Sequence, residues 1–238
     1  QIITNAHRVN KGEMIQVEKG KEDFYFIEQE EPENIAQLIK AVALKFIDQG
    51  YTLKELQVLA PMHKGLVGTI ALNNLLQEAL NPPHPKIIQT KVGETLYREG
   101  DRVMQLKNNY DKEVFNGEIG FISEIIPAEK GKPLFILVEF RGQIVEYTYD
   151  EALDELSLAY CMTVHKAQGG EVPIIIMPLS NQHYFMLARN LLYTGITRAK
   201  EKVVLIGTKS ALIRAITNDR TTKRHTSLAE KLKRALNG

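Results

Sequence analysis

A run of apolar residues bounded by polar ones gives the first indication of the fold: Val172-Pro173-Ile174-Ile175-Ile176-Met177-Pro178-Leu179. A second run of the same kind follows it: Lys202-Val203-Val204-Leu205-Ile206-Gly207. Runs of Ile and Val bounded by Gly or Pro are typical of strands that are buried on both faces. Such strands occur in parallel sheets covered by helices, so the sequence predicts an α/β fold.

A polar, glycine-rich segment precedes each apolar run. The first segment is Thr163-Val164-His165-Lys166-Ala167-Gln168-Gly169-Gly170-Glu171, and the second is Leu192-Tyr193-Thr194-Gly195-Ile196-Thr197-Arg198-Ala199-Lys200. In the first segment, hydrogen-bonding side chains stand next to a glycine pair whose backbone amides can approach a phosphate or a base closely. Because ligands of α/β sheets bind in loops beside the strand ends, both segments predict a site for a nucleotide or a nucleic acid.

Two side chains in these segments suit such a ligand in particular. Glu171 supplies an acceptor that matches a sugar hydroxyl. Arg198 carries a permanent charge on a rigid fork that matches phosphate oxygens. A structural salt bridge is the alternative role for Arg198, and simple surface placement is the alternative for His165 and Lys166.

The pattern of strands and helices changes twice along the chain. Apolar periodicity predicts a helix from 2 to near 12, a strand at 24–27, a helix from 32 to near 50, a strand at 56–60 and a helix at about 67–80. Only short strands with glycine-containing turns are predicted between about 86 and 149, at 102–106, 119–126, 134–140 and 143–149. We therefore expect a parallel α/β domain formed by residues 1–90 and 156–238, with a small antiparallel β-barrel inserted at 91–155. A last helix is predicted at 228–236.

Three residues outside the two segments are further candidates for contact with nucleic acid. His63 and Lys64 follow the buried strand at 56–60, and a solvated loop is the alternative for both. Tyr110 lies in a predicted hairpin turn, where it could stack on a base. The acidic pairs at 150–151 and 154–155 do not end a buried strand, so we interpret them as the polar face of a short helix rather than as magnesium ligands.

Composition narrows the functional classes. The net charge is only +1 over 238 residues, which is not typical of a chain that binds polyelectrolytes along its whole surface. The absence of an apolar run of roughly 20 residues and of a signal peptide indicates a cytoplasmic protein. The chain has a single cysteine, Cys161, which excludes an intramolecular disulfide. The sequence around His165 contains no cluster of metal-ligating residues, so no metal site is predicted there. The chain contains no P-loop sequence. Since it starts at Gln1 rather than Met, we expect it to be part of a longer protein.

The two polar segments resemble motifs V and VI of superfamily 1 helicases, most closely those of the RecD-like branch. The stretch 163–172 is similar to motif V and 193–200 to motif VI, while 1–12 is similar to the region around motif IV. The stretches 58–65, 108–120 and 224–228 also match that branch, so the resemblance covers nearly the whole chain. Ala167 and Gly170 depart from it, since Ser is common at both positions in the family.

The resemblance implies the second RecA-like domain of an ATP-dependent DNA helicase, with an SH3-like barrel insert. It implies that Arg198 is an arginine finger, that Gln168, Gly169 and Glu171 couple nucleotide to DNA, and that Thr163 and His165 hold the strand. Lys166, His63, Lys64 and Tyr110 are further predicted DNA contacts. ATP with Mg²⁺ would be bound mainly by an N-terminal RecA-like domain, so this chain is expected to be inactive alone. The resemblance also implies single-stranded DNA as partner, subunits of a recombination complex as further partners, and 5′→3′ translocation.

Two other classes of function remain open at this stage. One is a non-catalytic nucleic-acid-binding module that uses the barrel as its main contact surface, and the other is a regulator that keeps a RecA-like fold without ATP coupling. Arg198 discriminates between these classes, because an ATPase needs it and a module or regulator does not.

Overall fold

The computed structural model describes residues 1–129, 133–167 and 169–219. Its helices are α1 (Ile2–Lys11), α2 (Pro32–Asp48), α3 (Thr69–Leu80), α4 (Tyr149–Glu155), α5 (Arg189–Ile196) and α6 (Lys209–Thr217). Its strands are β1 (Phe24–Glu28), β2 (Leu56–Ala60), β3 (Gln89–Val92), β4 (Thr95–Arg98), β5 (Arg102–Gln105), β6 (Ile119–Ile126), β7 (Phe135–Phe140), β8 (Gln143–Thr148), β9 (Leu156–Leu158), β10 (Cys161–Thr163), β11 (Val172–Leu179) and β12 (Ala199–Gly207). The predicted helix at 228–236 and the stretch 224–228 lie outside the described residues.

A parallel sheet of five strands forms the centre of the molecule, in the order β1-β12-β11-β2-β10. The two apolar runs of the sequence, β11 and β12, are neighbours in this sheet, with Ile175 opposite Val203. On its other edge β11 pairs with β2, so it lies between two strands. All residues of β11 from Ile174 to Leu179 are buried, which confirms the prediction of a strand covered on both faces.

Successive residues of β11 face two different layers of helices. Ile174 and Ile176 belong to a core that also contains the apolar sides of α2 and α3. Ile175 and Met177 belong to a second core, formed with α1, α5 and α6. Helices therefore cover both faces of the sheet, which confirms the parallel sheet covered by helices that the alternation of strands and helices predicts. The same arrangement agrees with the RecA-like domain that the family resemblance implies. None of the helices in the described part of the chain is long and apolar enough to cross a membrane.

The β-rich insert forms the small antiparallel barrel that the turn spacing predicts. Its main sheet has the strand order β8-β7-β6-β5-β9, and β3 and β4 form a separate hairpin. Every second residue of β7 points inward, so that Ile136, Val138 and Phe140 are buried. These side chains belong to the same core cluster as α2 and α3. The insert therefore shares a hydrophobic core with one face of the parallel sheet.

Strand pairing crosses both expected boundaries of the insert. β9 lies after residue 155 but pairs with β5, so Leu158 is opposite Val103 in the antiparallel sheet. At the other boundary β3 spans residue 90. The division of the chain at residues 90 and 155 stays a prediction. Strand pairing by itself favours placing the C-terminal boundary of the insert a few residues after residue 155.

Two helices begin at positions that differ from the predictions, and local caps explain both differences. The strand predicted to reach Tyr149 ends at Thr148, because Thr148 and Glu151 form a capping box that starts α4 at Tyr149. α4 contains both acidic pairs, as predicted. α3 starts at Thr69 rather than near residue 67, because Gly68 takes an extended conformation as its N-cap.

One buried carboxylate connects the insert to the α/β domain. Asp101 is fully buried and accepts hydrogen bonds from Gln77 Nε2 at 2.6 Å, Arg98 N at 2.7 Å, Asn81 Nδ2 at 2.8 Å and Tyr160 Oη at 2.9 Å. Burial raises the pKa of the Asp101 carboxyl, and the four hydrogen bonds act against that shift. The donors come from α3, from β4 and from the segment between β9 and β10, so a single side chain joins three parts of the fold.

We predict that Asp101→Ala lowers the free energy of unfolding by about 3–5 kcal/mol, because it leaves several buried donors without an acceptor. Urea unfolding followed by circular dichroism measures this change. Glu94→Ala is the matched control, since the Glu94 side chain is 98% exposed and its loss should cost less than about 0.5 kcal/mol. Equal effects of the two substitutions would show that the Asp101 network does not hold the insert in place.

Candidate nucleotide and nucleic-acid site

The loop at residues 164–171 runs from the carboxyl ends of the parallel strands, here called the carboxyl edge, to their amino ends, here called the amino edge. It leaves β10 at Thr163, which lies opposite Ala60 at the carboxyl end of β2. It enters β11 at Val172, which lies opposite Ala199 at the amino end of β12. A helical turn starts the loop, with Lys166 N and Ala167 N both donating to the Thr163 carbonyl. One loop therefore connects two separate groups of candidate residues.

Three of the candidate DNA contacts meet in a groove at the carboxyl edge. His63, Thr163 and Lys166 line a cavity of about 300 Å³ between α3, the loop and the insert. His63 Nδ1 shares a hydrogen bond of 2.9 Å with Thr69 Oγ1 at the start of α3. Thr163 Oγ1 accepts from Lys166 N at 3.4 Å, which leaves its hydroxyl hydrogen free to be donated. The groove thus carries a cation and a hydroxyl donor, the groups that bind phosphate oxygens.

A hydrogen bond across this region ties the loop to the insert. Lys166 Nζ donates to Asn116 Oδ1 at 2.7 Å, and Asn116 lies in the hairpin between β5 and β6. The same hairpin carries Tyr110, which is 74% exposed and packs edge-on against Phe115 with ring centroids 6.1 Å apart. An exposed aromatic pair next to a lysine suits stacking on a base.

The structure places the remaining DNA candidates on the surface beside the groove. His165 is exposed on the loop at 164–171, and Lys64 is exposed on the loop after β2. Both are accessible to a ligand, but neither is held in place by a hydrogen bond of its side chain to another described residue.

Arg198 lies at the opposite, amino edge of the sheet. Its side chain is half-buried, and Nη1 donates to the Gly170 carbonyl at 3.3 Å. Its Nε has no hydrogen-bond partner in the described part of the chain. Arg198 also forms no ion pair with any described carboxylate, so the structure does not support the structural salt bridge that was its alternative role.

Glu171 faces a larger cavity at the same edge. This cavity has a volume of about 740 Å³ and lies between α1, the end of α5 and the start of β12. Tyr193, Thr197 and Lys200 also line it. Lys200 Nζ lies 3.7 Å from Glu171 Oε2 in a solvent-exposed ion pair. The cavity is large enough for part of a nucleotide.

Gln168 and Gly169 are the other two residues that were predicted, with Glu171, to couple nucleotide to DNA. Gln168 lies outside the described residues. Gly169 has a φ of +91°, a conformation that favours glycine, so its role in shaping the loop is clear from the backbone.

Sequence reasoning did not single out three residues near these sites: Gln57, Arg102 and Asn116. Gln57 and Arg102 are buried beside Arg198 and line one small cavity with it. A glutamine inside the apolar run at 56–60 was a visible signal, because polar residues in a buried strand need partners. Asn116 gave no signal beyond its turn, since its contact with Lys166 joins residues 50 positions apart.

Cys161 is a core thiol, as the sequence predicts. It is buried in β10, and burial raises the pKa of the thiol, which makes it a poor nucleophile. Within the ranges that the structure describes, no cluster of His, Cys, Asp and Glu side chains could hold a metal ion.

Family models match two stretches of the chain. Residues 72–140 match the SH3 domain of ATP-dependent RecD-like DNA helicases, and residues 158–206 match the UvrD-like helicase C-terminal domain. Together with the α/β sheet, these matches define the class as the C-terminal region of a superfamily 1 helicase.

Individual relatives narrow the class further. The ATP-dependent RecD2 DNA helicase of Deinococcus radiodurans is 39% identical over 177 residues, which cover 74% of this chain and 23% of that protein. The RecD subunit of the RecBCD enzyme of Buchnera aphidicola subsp. Schizaphis graminum is 27% identical over 186 residues, covering 78% of this chain and 28% of the subunit. The chain belongs to the RecD-like branch of superfamily 1 DNA helicases, and it spans about a quarter of the length of these two relatives.

A solved structure agrees with this assignment at the level of the fold. The structure, which concerns DNA unwinding at forked double-stranded DNA by two coordinating Pif1 helicases, aligns with 99% of this chain and 51% of its own chain, with a TM-score of 0.50. Sequence identity in that alignment is 15%, so the likeness supports a shared fold.

Proposed function

We propose that this chain is the C-terminal motor region of an ATP-dependent 5′→3′ DNA helicase and works with an N-terminal RecA-like domain that carries the P-loop. The observation that carries this proposal is the loop at 164–171. It starts beside the groove lined by His63, Thr163 and Lys166 and ends beside Arg198. A helicase needs such a connection, because ATP turnover must change the grip on DNA. The 5′→3′ direction rests on the family resemblance alone.

Arg198 is proposed to act as the arginine finger. ATP with Mg²⁺, held mainly by the partner domain, supplies the phosphoryl group whose charge Arg198 would stabilise. The side chain suits this role, since it is charged, half-buried and, among the described residues, makes a single long hydrogen bond, at 3.3 Å to Gly170 O. A phosphate oxygen is a stronger acceptor than that carbonyl. Arg198 would therefore leave Gly170 when the two domains close around nucleotide, and differential contacts of this kind shift a two-state equilibrium.

Glu171, Gly169 and Gln168 are proposed to pass this change to the DNA groove. Glu171 lies beside Lys200 in the 740 Å³ cavity, where its carboxylate could accept from a ribose hydroxyl. Gly169 allows the turn between the two ends of the loop. Because Gly170 is the partner of Arg198, release of the arginine frees the same loop that carries Lys166.

Single-stranded DNA is the proposed ligand of the carboxyl edge. Thr163 and Lys166 would contact phosphates inside the groove, and His165, His63 and Lys64 would contact them at its rim. Tyr110, on the insert, would stack on a base. DNA as a substrate is consistent with a cytoplasmic location and with partners from a recombination complex, such as those implied by the name of the RecBCD relative.

A non-catalytic nucleic-acid-binding module remains the second candidate, because the exposed pair Tyr110 and Phe115 would serve such a module equally well. That function gives no reason for Arg198 to be placed beside a glycine-rich loop without an ion-pair partner among the described residues. The helicase proposal accounts for both features.

The chain of 238 residues is expected to hydrolyse ATP no faster than buffer, with or without single-stranded DNA. It lacks the P-loop that would hold the phosphates. A steady-state phosphate-release assay tests this expectation. DNA-stimulated turnover by the purified chain would contradict the proposed division of labour between the two RecA-like domains.

In the helicase that contains this region, His165→Ala should weaken binding to single-stranded DNA about tenfold to hundredfold, since it removes one hydrogen bond to a charged phosphate. Fluorescence anisotropy at low salt measures the affinity. His84→Ala is the matched control, because His84 is an exposed histidine on the loop after α3 and lies outside the groove. If both variants bind DNA as the wild type does, His165 is not a DNA contact.

Arg198→Ala in the same helicase should reduce ATP turnover by about 10³- to 10⁵-fold, the contribution of an arginine finger to phosphoryl transfer. Nucleotide binding should change much less, because it rests mainly on the P-loop of the other domain. Arg198→Lys should also fail, because an ammonium cannot reproduce the bidentate fork. Turnover at saturating DNA and a nucleotide-binding titration separate these effects.

Arg141→Ala is the control for the loss of a positive charge, since Arg141 is 81% exposed on the insert. It should leave turnover unchanged. If Arg198→Ala retains more than about a tenth of wild-type turnover, the finger role is wrong.

A further inference from the structure

A small cavity lies between the parallel sheet and the insert, with a volume of about 120 Å³. Gln57 from β2, Arg102 from β5 and Arg198 from the turn before β12 line it, and Lys166 approaches from the loop at 164–171. The rest of its described lining consists of apolar side chains and glycines. Polar atoms in this cavity therefore depend on one another or on a ligand.

Three residues that line this cavity each have one buried side-chain atom without a hydrogen-bond partner among the described residues: Gln57 Oε1, Arg102 Nε and Arg198 Nε. Two of the side chains are more than nine-tenths buried, with exposures of 3% for Gln57 and 4% for Arg102. Only two other buried side-chain atoms in the described parts of the chain are unpartnered, and both belong to His183. Buried polar groups are nearly always satisfied, so three such atoms at one cavity indicate a ligand that is complementary to them.

The charge of the cavity points to an anion. Arg102, Lys166 and Arg198 are cationic, and none of the described lining residues is acidic. Arg102 is fixed by Nη1, which donates to Leu53 O at 2.5 Å and to Leu56 O at 2.6 Å. Burial lowers the pKa of Arg102 to about 10, because the backbone carbonyls do not replace a counter-ion. A buried guanidinium normally has an anionic partner, and here the cavity is the place for one.

Cavity size limits the anion to a small one. Pockets for larger ligands begin at about 300 Å³. The space therefore suits a single tetrahedral oxyanion rather than a nucleotide.

Gln57 adds a requirement for a hydrogen-bond donor. Its Nε2 donates to the carbonyls of Val58, Ala159 and Tyr160, at 2.9, 3.4 and 3.2 Å, which fixes Oε1 as the acceptor that remains. An acceptor in an anion cavity needs a protonated oxygen from the ligand. Monohydrogen phosphate has a P–OH group at neutral pH, whereas sulfate and the phosphodiesters of DNA have none.

We propose that this cavity binds a monohydrogen phosphate group, with Arg102 and Arg198 donating to its oxygens and Gln57 Oε1 accepting from its hydroxyl. Inorganic phosphate has this group at neutral pH, whereas the terminal monoester of a phosphorylated DNA end carries a P–OH group only in its monoanion, at or below its second pKa of about 6. Binding requires neither ATP nor hydrolysis, so its test is independent of the proposed helicase function.

Titration of the complete chain with inorganic phosphate, followed by ³¹P NMR, tests the proposal. We expect saturable binding at one site, and sulfate should bind at least about tenfold more weakly because it leaves Gln57 Oε1 without a donor. Arg198→Met should weaken phosphate binding by about tenfold or more through the loss of charged hydrogen bonds. Ala167→Leu should do the same by filling the cavity while leaving every charge in place.

Arg141→Met is the matched control, since it removes one positive charge from an exposed site on the insert. It should leave the affinity within about twofold, because exposed charges are largely screened by solvent. Circular dichroism establishes whether each variant is folded. If loss of Arg198 disturbs the fold, Ala167→Leu still tests the proposal, because it fills the cavity without removing a charge. The absence of saturable binding up to about 10 mM phosphate would overturn the proposal. So would full affinity in both cavity variants.

A competition experiment identifies the source of the group. At about pH 6, where part of the monoester keeps its P–OH group, a short single-stranded oligonucleotide with a 5′-phosphate is added to the phosphate-loaded chain, in parallel with the same oligonucleotide lacking that phosphate. Displacement by the phosphorylated strand alone assigns the cavity to a DNA end, and displacement by neither assigns it to free phosphate. Equal displacement by both would contradict the requirement for a P–OH group.

Discussion

The buried carboxylate of Asp101 is the interaction on which the relation between insert and sheet depends. Its four hydrogen bonds reach α3, the end of β4 and Tyr160, which leads into β10. Burial makes each of these bonds strong, and it makes the loss of the acceptor costly. The shared apolar core alone would allow the insert several orientations, because hydrophobic contact is not directional. Asp101 selects one orientation and so sets the distance between the insert and the loop at 164–171.

That distance matters because two of the cavities next to the loop, the groove at the carboxyl edge and the small cavity beside Arg198, have walls from both parts of the molecule. Lys166 lines the groove at the carboxyl edge and also the small cavity beside Arg198. Its Nζ is held by Asn116 of the insert at 2.7 Å. A movement of the loop would therefore alter the two sites together, and the insert would resist it through this bond. The coupling requires no contact between the sites themselves, since one side chain belongs to both.

The sequence predicted the elements of this fold well, because their signals are local. The apolar runs that became β11 and β12, and the periodicity of α1 and α2, are visible within a few residues. The sequence did not predict the hairpin of β3 and β4, since buried and exposed residues do not alternate regularly along either strand. The Asp101 network could not be predicted at all, because Tyr160 lies 59 residues away from its acceptor. The same reason hid Arg102 from the candidate site, where its guanidinium joins Leu53 O across 49 residues.

For Arg198, the sequence predicted the position along the chain, and the structure shows the hydrogen-bond partner. The sequence predicted that Arg198 lies in the turn before an apolar strand, and it does precede β12. Its charge suggested a phosphate as ligand, which stays a prediction. The partner of the Arg198 side chain is the Gly170 carbonyl, a weak acceptor for a guanidinium, and Nε has no acceptor among the described residues. An arginine held this loosely can exchange one acceptor for another at little cost. The proposed finger role and the proposed anion cavity both rely on this property, and both give Arg198 a phosphate oxygen as acceptor instead of that carbonyl. A firm salt bridge at Arg198 would have excluded either one.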